Sequence, residues 1–280
     1  MPEDIRRSPE DHWAQFNKAW TGLLTYRYFG KLTPDLDASV EREEMPLRHD
    51  MRNAAGGIMA APLCVASPEP YWTDEQCIPA PVVMSYEILD PAADVTRVVV
   101  LRDVIHLGRT MGFSRSRIVD ADDPGRLVAV STGTGVSLGE VPGGFTKVDN
   151  PPLDVEDSLT LPPLHVVFGA TLGTDGCWRL PPLEARLSAP HAALHLGPIN
   201  IVCERAAMDA VAEHTGTDQA QVESWTVMMV RPGTVGPFRA EGEVLAGRGE
   251  RVPVQLTLFD EGNGDRAIAT ASAVYRRPPT

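Results

Sequence analysis

The residues with the clearest chemical potential lie near position 200. His195 and Gly197 stand just before Pro198, which suits the first turn of a helix because its missing N–H has no partner there. Glu204 follows about two turns into that helix, among otherwise apolar residues. A carboxylate in this setting either faces solvent or is partly desolvated with a raised pKa. The sequence leaves these two interpretations open.

The second half of the chain repeats a pattern of residues found in the first half. Gly57 corresponds to Gly197 at an offset of 140 (197 − 57), and each half then continues with the same punctuation in the same order. Four further matches lie at offsets of 139 to 141: Pro91 with Pro232, Leu107–Arg109 with Ala246–Arg248, Asp120 with Asp260, and Arg126 with Arg266. The sequence therefore predicts an internal repeat, although turn-rich β proteins share glycine, proline and aspartate punctuation in any case.

The sequence of each half predicts an α+β unit, in which a helix begins at a glycine and is followed by four strands. The helices are expected at Gly56–Ser67 and Gly197–Glu213, each after an extended segment, Ala38–Leu47 or Leu183–Ser188. β-Branched and aromatic content, bounded by Gly-containing turns, predicts the strands. These are Val82–Leu89, Thr96–Ile105, Gly112–Asp120 and Leu127–Leu138, then Gln221–Arg231, Phe238–Leu245, Arg251–Asp260 and Ala267–Tyr275.

Two further segments complete the organisation. Residues Pro9–Tyr26 predict an additional amphipathic helix, and the stretch 141–164 is rich in Pro, Gly and Asp, as linkers are. We expect an N-terminal unit over 1–140 with this leading helix, a linker over 141–164 and a C-terminal unit over 165–280. Two such units placed side by side would pair their edge strands into one large sheet.

These motifs together resemble the hotdog-fold acyl-CoA thioesterases. In that family a His-Gly-Gly turn opens the long central helix, and an acidic residue follows seven positions after the second glycine. His195 and Gly197 with Glu204 fit this pattern (204 − 197 = 7), whereas Leu196 replaces the first glycine. The resemblance covers 36–140 and 178–277. It implies a double hotdog, with two repeats that each wrap an antiparallel sheet around a long central helix.

The resemblance also implies how a site would be shared between the repeats. The helix start of one unit supplies an N–H to the oxyanion, and the helix of the other supplies the carboxylate. Transferred here, Gly57 is the oxyanion donor and Glu204 the base or nucleophile, with His49 and Asn53 orienting water or the carbonyl. The mirror-image site would pair His195 and Gly197 with Cys64, which stands where the family has an acid. We therefore expect one competent and one degenerate site.

The expected function is hydrolysis of an acyl-CoA or acyl-carrier thioester at the interface between the repeats. CoA would be part of the substrate, so no separate cofactor and no metal are expected. Its phosphates could meet Arg109, Arg248 or Arg277, among which the sequence does not choose. The alternatives are a catalytically degenerate acyl-CoA-binding or scaffold protein and a hotdog lyase, that is, a hydratase or dehydratase. The hydratase turn of the superfamily is absent from this sequence.

The composition limits the classes of partner and the cellular environment that we expect. The 280 residues carry a formal net charge of −13, which disfavours a nucleic-acid partner. The four cysteines form no CxxC pair, as expected for free thiols in the cytoplasm. No apolar stretch is long enough to span a membrane. We expect further association into a homo-oligomer, a dimer of double hotdogs.

Overall fold

The structure, a computed structural model, describes residues 23–30, 41–66, 79–138, 153–189, 191–247 and 249–278. The predicted helix Pro9–Tyr26 falls mostly outside these ranges. Its described end belongs to helix α1, Leu24–Phe29, which terminates at Gly30 in the left-handed conformation with φ 66°. Three other α-helices follow: α2 at Ala60–Val65, α3 at Leu164–Val167 and α4 at Leu196–Thr215.

Within the described residues, the strands form a single antiparallel sheet of eleven strands. All eight predicted strands are present within a few residues of their predicted ends, so the α+β class with a large antiparallel sheet is confirmed. The bounds are β1 Glu41–Pro46, β2 Pro79–Ile88, β3 Arg97–Leu107, β4 Met111–Asp120, β5 Leu127–Ser137, β6 Thr171–Leu172, β7 Trp178–Leu180, β8 Gln221–Met229, β9 Phe238–Val244, β10 Arg251–Asp260 and β11 Arg266–Arg276.

The pair β2–β8 stands at the centre of the sheet and joins two similarly ordered halves. Outward from β2 come β5, β4, β3 and β1, and outward from β8 come β11, β10, β9 and β7. We call β1–β5 the N-terminal half-sheet and β6–β11 the C-terminal half-sheet. At the centre Ser85 lies opposite Thr226, and their hydroxyl oxygens are 2.7 Å apart.

Helix α4 runs for 20 residues and is buried along most of its first three turns. Its bounds agree with the predicted helix Gly197–Glu213. His195 caps the first turn, and Gly216 ends the helix in the left-handed conformation. The helix packs against β9, β10 and β11 of the C-terminal half-sheet and against α2, so it connects the two halves of the molecule.

Helix α2 differs from its prediction. The sequence predicts a helix over Gly56–Ser67, but the helix covers Ala60–Val65 and reaches its C-cap at Ala66. Pro62 lies in the first turn, where the missing N–H breaks no helical hydrogen bond. The residues before it form a tight turn, closed by the Arg52–Ile58 bridge, with Gly56 at φ 82°. A long helix in both halves is therefore not found among the described residues.

The predicted extended segment Leu183–Ser188 is wrong. Those residues turn, with the Leu187 N–H donating to the Glu184 carbonyl at 3.0 Å. The strand of this region is β7, which ends just before Pro181 and Pro182, residues that have no N–H for a ladder. Within the described ranges no helix is both long and apolar enough to cross a membrane.

Candidate active site

The carboxylate of Glu204 crosses from one half of the molecule to the other. It projects from α4, its residue is 1% exposed, and it meets the first turn of α2. Its Oε1 accepts from the Ala60 N–H and its Oε2 from the Ala61 N–H, both at 2.6 Å. First-turn N–H groups have no partner inside their own helix, so the carboxylate satisfies two of them at once.

Burial shifts the protonation of this carboxylate. Desolvation raises the pKa of Glu204 from its ordinary value of 4.5 to about 7, against the lowering effect of the Ala61 and Ala60 N–H groups. A group with this pKa exchanges a proton near neutral pH, which suits a general base. The desolvated interpretation of Glu204 is therefore the correct one.

The surroundings of Glu204 hold further buried groups that stay neutral. Burial raises the pKa of the Cys64 thiol well above its usual value, and the charge of Glu204 adds to the effect. The Tyr86 hydroxyl lies close enough to the thiol to lower the pKa of Cys64, against these two effects. Burial likewise raises the pKa of Cys203 to about 12 and that of Tyr275, which is again close to Glu204. Cys64 is consequently a protonated thiol at neutral pH and a poor nucleophile.

A cavity of about 400 Å³ lies against the contact between α2 and α4. Met59 and Arg205, the chain neighbours of Ala60 and Glu204, both line it. His49 and Asn53 line it as well, so the structure brings two predicted site residues to one space next to the start of α2, although the lining does not include Glu204 itself. The remaining lining residues are Asp50, Arg52, Ala54, Leu159, Leu161, Pro163, Leu164, His165, Ile201, Met208 and Asp218.

Gly57 has a different partner from the predicted one. Its N–H donates to the Asn53 side-chain oxygen at 3.0 Å, and the Asn53 amide donates to Gln221 Oε1 at 2.8 Å. The N–H groups aimed at the carboxylate belong instead to Ala60 and Ala61, which the sequence analysis missed. Pro62 was the available signal, because a proline in the first turn places the helix start one or two residues earlier. The role of Gly57 as an oxyanion donor stays a prediction.

His195 lies far from this contact. It is nine residues before Glu204 on the same helix, roughly 13 Å along the axis. Its Nδ1 accepts weakly from the Gly197 N–H at 3.4 Å and lies 3.1 Å from the Thr25 hydroxyl. The structure therefore separates His195 from the carboxylate and places it at the mirror-image end of α4.

A second cavity, of about 360 Å³, opens at that end of α4. His195 and Ile199 line it together with the start of β2 and the end of β8, and most of its lining is apolar. Deeper in the same helix, the Asn200 amide donates to the Leu196 carbonyl, and its oxygen accepts from the Trp225 indole at 2.9 Å. This buried bond, absent from the sequence analysis, ties α4 to β8.

Of the candidate phosphate-binding arginines, the two that the structure describes lie in different halves of the molecule. Arg109 lies in the exposed turn between β3 and β4, and Arg277 lines a small cavity of about 120 Å³ with His214 and Arg251. Arg248 lies outside the described residues. Among the residues that the structure describes, no group of three or more His, Cys, Asp or Glu side chains could hold a metal ion.

Comparison with solved structures identifies this architecture. No family model and no curated protein matches the sequence. The acyl-CoA thioesterase II TesB2 from Mycobacterium marinum superposes with a TM-score of 0.58 at 12% identity, over 91% of this chain and 99% of that one. A tesB protein from Mycobacterium avium subs paratuberculosis gives 0.55 at 10% identity, over 97% and 100% of the two chains.

A third structure supplies the name of the fold. It is a conserved protein of unknown function with a hot dog fold from Alicyclobacillus acidocaldarius, with a TM-score of 0.54 at 10% identity, over 89% of this chain and 97% of that one. The chain therefore has the hotdog fold, and its likeness extends over almost the whole length of thioesterase structures of that fold.

Proposed function

We propose that this chain hydrolyses an acyl-CoA or acyl-carrier thioester where two tandem hotdog units meet, with Glu204 as the general base. The observation that carries the proposal is the Glu204 carboxylate, which is buried, reaches from one half of the sheet to the helix of the other, and has a pKa of about 7. The acyl-CoA thioesterase among the structural neighbours supports the same reaction class. A cytoplasmic enzyme that assembles as a dimer of double hotdogs belongs to the same proposal.

The reaction uses one water and returns its proton to the leaving group. Glu204 takes a proton from a water in the cavity beside α2, and the water oxygen attacks the thioester carbon while the carbonyl oxygen becomes an oxyanion. The C–S bond then breaks, and the thiolate takes the proton from Glu204. The products are a carboxylic acid and a thiol.

The Ala60 and Ala61 N–H groups have a double role in this scheme. Each can donate fully to one acceptor, so a substrate oxyanion that takes one of them leaves Glu204 with the other. Since these N–H groups lower the pKa of Glu204, loss of one makes the carboxylate a stronger base. Substrate binding would thereby activate the base that deprotonates the attacking water.

A binding protein without turnover is the second candidate. Both oxygens of Glu204 are already satisfied by the Ala60 and Ala61 N–H groups. A carboxylate in that position could serve only to fix the start of α2. This candidate predicts that the chain binds acyl-CoA and leaves the thioester intact.

Hydrolysis of a panel of acyl-CoAs, followed by thiol release, separates the two candidates. We expect Glu204→Gln to lower kcat by about 10²- to 10⁴-fold with little change in KM, as loss of a general base does. Glu213→Gln, on the exposed end of the same helix, is the matched control and should keep the wild-type rate. A wild-type rate in Glu204→Gln would refute the assignment, and binding without thiol release would favour the binding protein.

A further inference from the structure

The inner face of the N-terminal half-sheet carries a row of polar side chains. We use inner face for the side that holds the core residues Met84, Val98 and Ile118. On this side Arg102 lies opposite Ser116, and Ser116 lies opposite Ser131. Ser114 stands two residues before Ser116, on the same face because side chains alternate along a strand. All four residues are at most 4% exposed.

The serine hydroxyls of this row are buried without a visible partner. No residue of the described ranges makes a hydrogen bond with the hydroxyls of Ser114, Ser116 or Ser131. Buried polar groups are nearly always bonded, so each exception calls for an explanation. Three exceptions side by side on neighbouring strands point to one shared cause.

The C-terminal half-sheet shows that the fold does not need these polar groups. The same pairing registers place Gly242 opposite Leu256 and Leu256 opposite Ala271, where the first half has Arg102, Ser116 and Ser131. Val254 stands at the place of Ser114. A backbone with identical strand order thus accepts an entirely apolar row, so the hydroxyls are not a requirement of the sheet.

The arginine of the row has its charge balanced locally. Its guanidinium lies 3.9 Å from the Glu43 carboxylate, and both side chains are 1% exposed. The guanidinium also approaches the Ala66 carbonyl, at the end of α2, at 3.5 Å. An anionic ligand group would have to compete with Glu43 for this arginine. The row therefore favours a ligand that is polar but uncharged at this place.

The polar row leads towards Glu204. Ser131 lies opposite Tyr86 in the next strand, the Tyr86 hydroxyl lies close enough to Cys64 to lower the pKa of its thiol, and the charge of Glu204 acts on Cys64. From Tyr86 to Arg102 the row crosses three strand spacings, about 14 Å. That length matches the chain of an acyl group whose thioester end lies at Glu204.

We infer that the acyl group processed at Glu204 bears uncharged oxygen, as hydroxyl or oxo groups along its chain, and that Ser114, Ser116 and Ser131 bind it. The inference rests on the proposed thioester site. It names the substrate class of that site as oxygenated acyl thioesters. A plain hydrocarbon chain would leave the three hydroxyls unbonded.

Binding to the full-length Glu204→Gln variant tests this without relying on turnover. Calorimetry would compare medium-chain acyl-CoAs of one length: unsubstituted, hydroxylated near the thioester, and hydroxylated near the far end. We expect at least one hydroxyacyl-CoA to bind about tenfold more tightly than the unsubstituted one, the effect of one good hydrogen bond. Adding Ser116→Ala with Ser131→Ala should abolish that preference and leave the unsubstituted affinity within about twofold.

Two controls keep the outcome clear. Thr132→Ala, on the same strand as Ser131 but on the exposed opposite face, should change neither affinity. The serine variants should unfold at the same or a higher temperature than the parent, because each removes an unsatisfied hydroxyl. A lower unfolding temperature with unchanged preference would mean that ordered water satisfies the serines, and the inference would fail. Equal affinity for all three ligands overturns it alone, whereas no binding of any acyl-CoA overturns the proposed function too.

Discussion

The two half-sheets share one strand order, yet they meet their helices in different ways. In the C-terminal half, α4 is 20 residues long and lies so close to β9 that a Cβ at Gly242 would come within 3.6 Å of the Ala206 carbonyl oxygen. In the N-terminal half, α2 has six residues, and its C-cap carbonyl meets the buried Arg102. Where the long helix packs directly, the sheet is apolar. Where the helix is short, the sheet presents polar groups.

This difference indicates that the two halves contribute different parts of the candidate site. The C-terminal half provides the long helix that carries Glu204, and the N-terminal half provides the N–H groups that donate to its carboxylate. We therefore expect a change of side-chain polarity to affect the free energy of unfolding differently in the two half-sheets. The comparison concerns the inner face of the N-terminal half-sheet and the side of the C-terminal half-sheet that packs against α4.

A change of side-chain polarity in the apolar row of the C-terminal half-sheet should give the largest effect on the free energy of unfolding. Leu256→Ser opens a cavity under α4 and buries a hydroxyl, so we expect a loss of about 4 kcal/mol in the free energy of unfolding. Ser116→Ala, at the matching position, should change it by less than about 1 kcal/mol, or raise it. Urea denaturation of both variants measures this contrast. Similar losses of unfolding free energy in the two variants would contradict this contrast, because they would show that both positions contribute equally to core packing.

The carboxylate of Glu204 should make the free energy of unfolding depend on pH, whereas Cys64, at the matching position of the other half, should not. Between pH 4.5 and about 7 the folded state keeps this proton while the unfolded state has released it, because burial raises the folded pKa. The unfolded state therefore binds fewer protons, and the free energy of unfolding falls as pH rises, by about 3 kcal/mol in total. The contribution is complete below pH 4.5 and lost above the folded pKa. Cys64, at the matching place, stays protonated throughout.

Urea unfolding at pH 5 and pH 8 measures this linkage. The −13 net charge adds its own pH dependence, so the informative quantity is the difference between the wild type and Glu204→Gln. The wild type should lose about 3 kcal/mol more than the variant across this interval. Parallel pH profiles would show that Glu204 is already ionised throughout that range.

The matched glycines before α2 and α4 should differ in their tolerance of a methyl group. A Cβ at Gly197 would overlap the short β-branched side chain of Thr25, which has little room to move, whereas a Cβ at Gly57 would overlap the flexible end of Gln221. We expect Gly197→Ala to cost about 2 kcal/mol and Gly57→Ala about 1 kcal/mol. Gln221→Ala should remove the added cost of Gly57→Ala. A larger cost at Gly57 would contradict this ranking, which thermal unfolding measures.

The strands could be predicted from sequence because their signals are local. β-Branched residues between glycine turns define β10 to the residue, and β4 and β8 to within two residues. The start of α2 was missed because Gly56 and Gly57 imitate a helix start, while Pro62 marks the true one. The strand β7 was missed because it is only three residues long, and the predicted segment Leu183–Ser188 lies after the two prolines, Pro181 and Pro182, that follow its end.

The site was only partly predictable because its contacts join distant residues. The family pattern predicted Glu204, His49 and Asn53 as site residues, but the bonds to Ala60 and Ala61 form only when the two halves pack. The polar row was hidden for a different reason. In Ser114-Arg115-Ser116-Arg117 alternation places serines on one face and arginines on the other, and the pattern does not indicate which face is inside.

The smallest expected effect lies where the halves join. Ser85 and Thr226 face each other across β2 and β8 with their hydroxyls 2.7 Å apart. Either hydroxyl can donate, so removing one leaves the other partly buried and free to find water. We expect Ser85→Ala to lower the free energy of unfolding by about 0.5–1 kcal/mol, and Thr226→Val by about the same.

The double variant should lose less unfolding free energy than the two single changes together, because the shared bond can be lost only once. Urea denaturation of all three variants measures this coupling, with Thr132→Ala as the exposed control. Additive costs would mean that the hydroxyls bond to water, and that the two halves are joined by their backbone ladder and core alone.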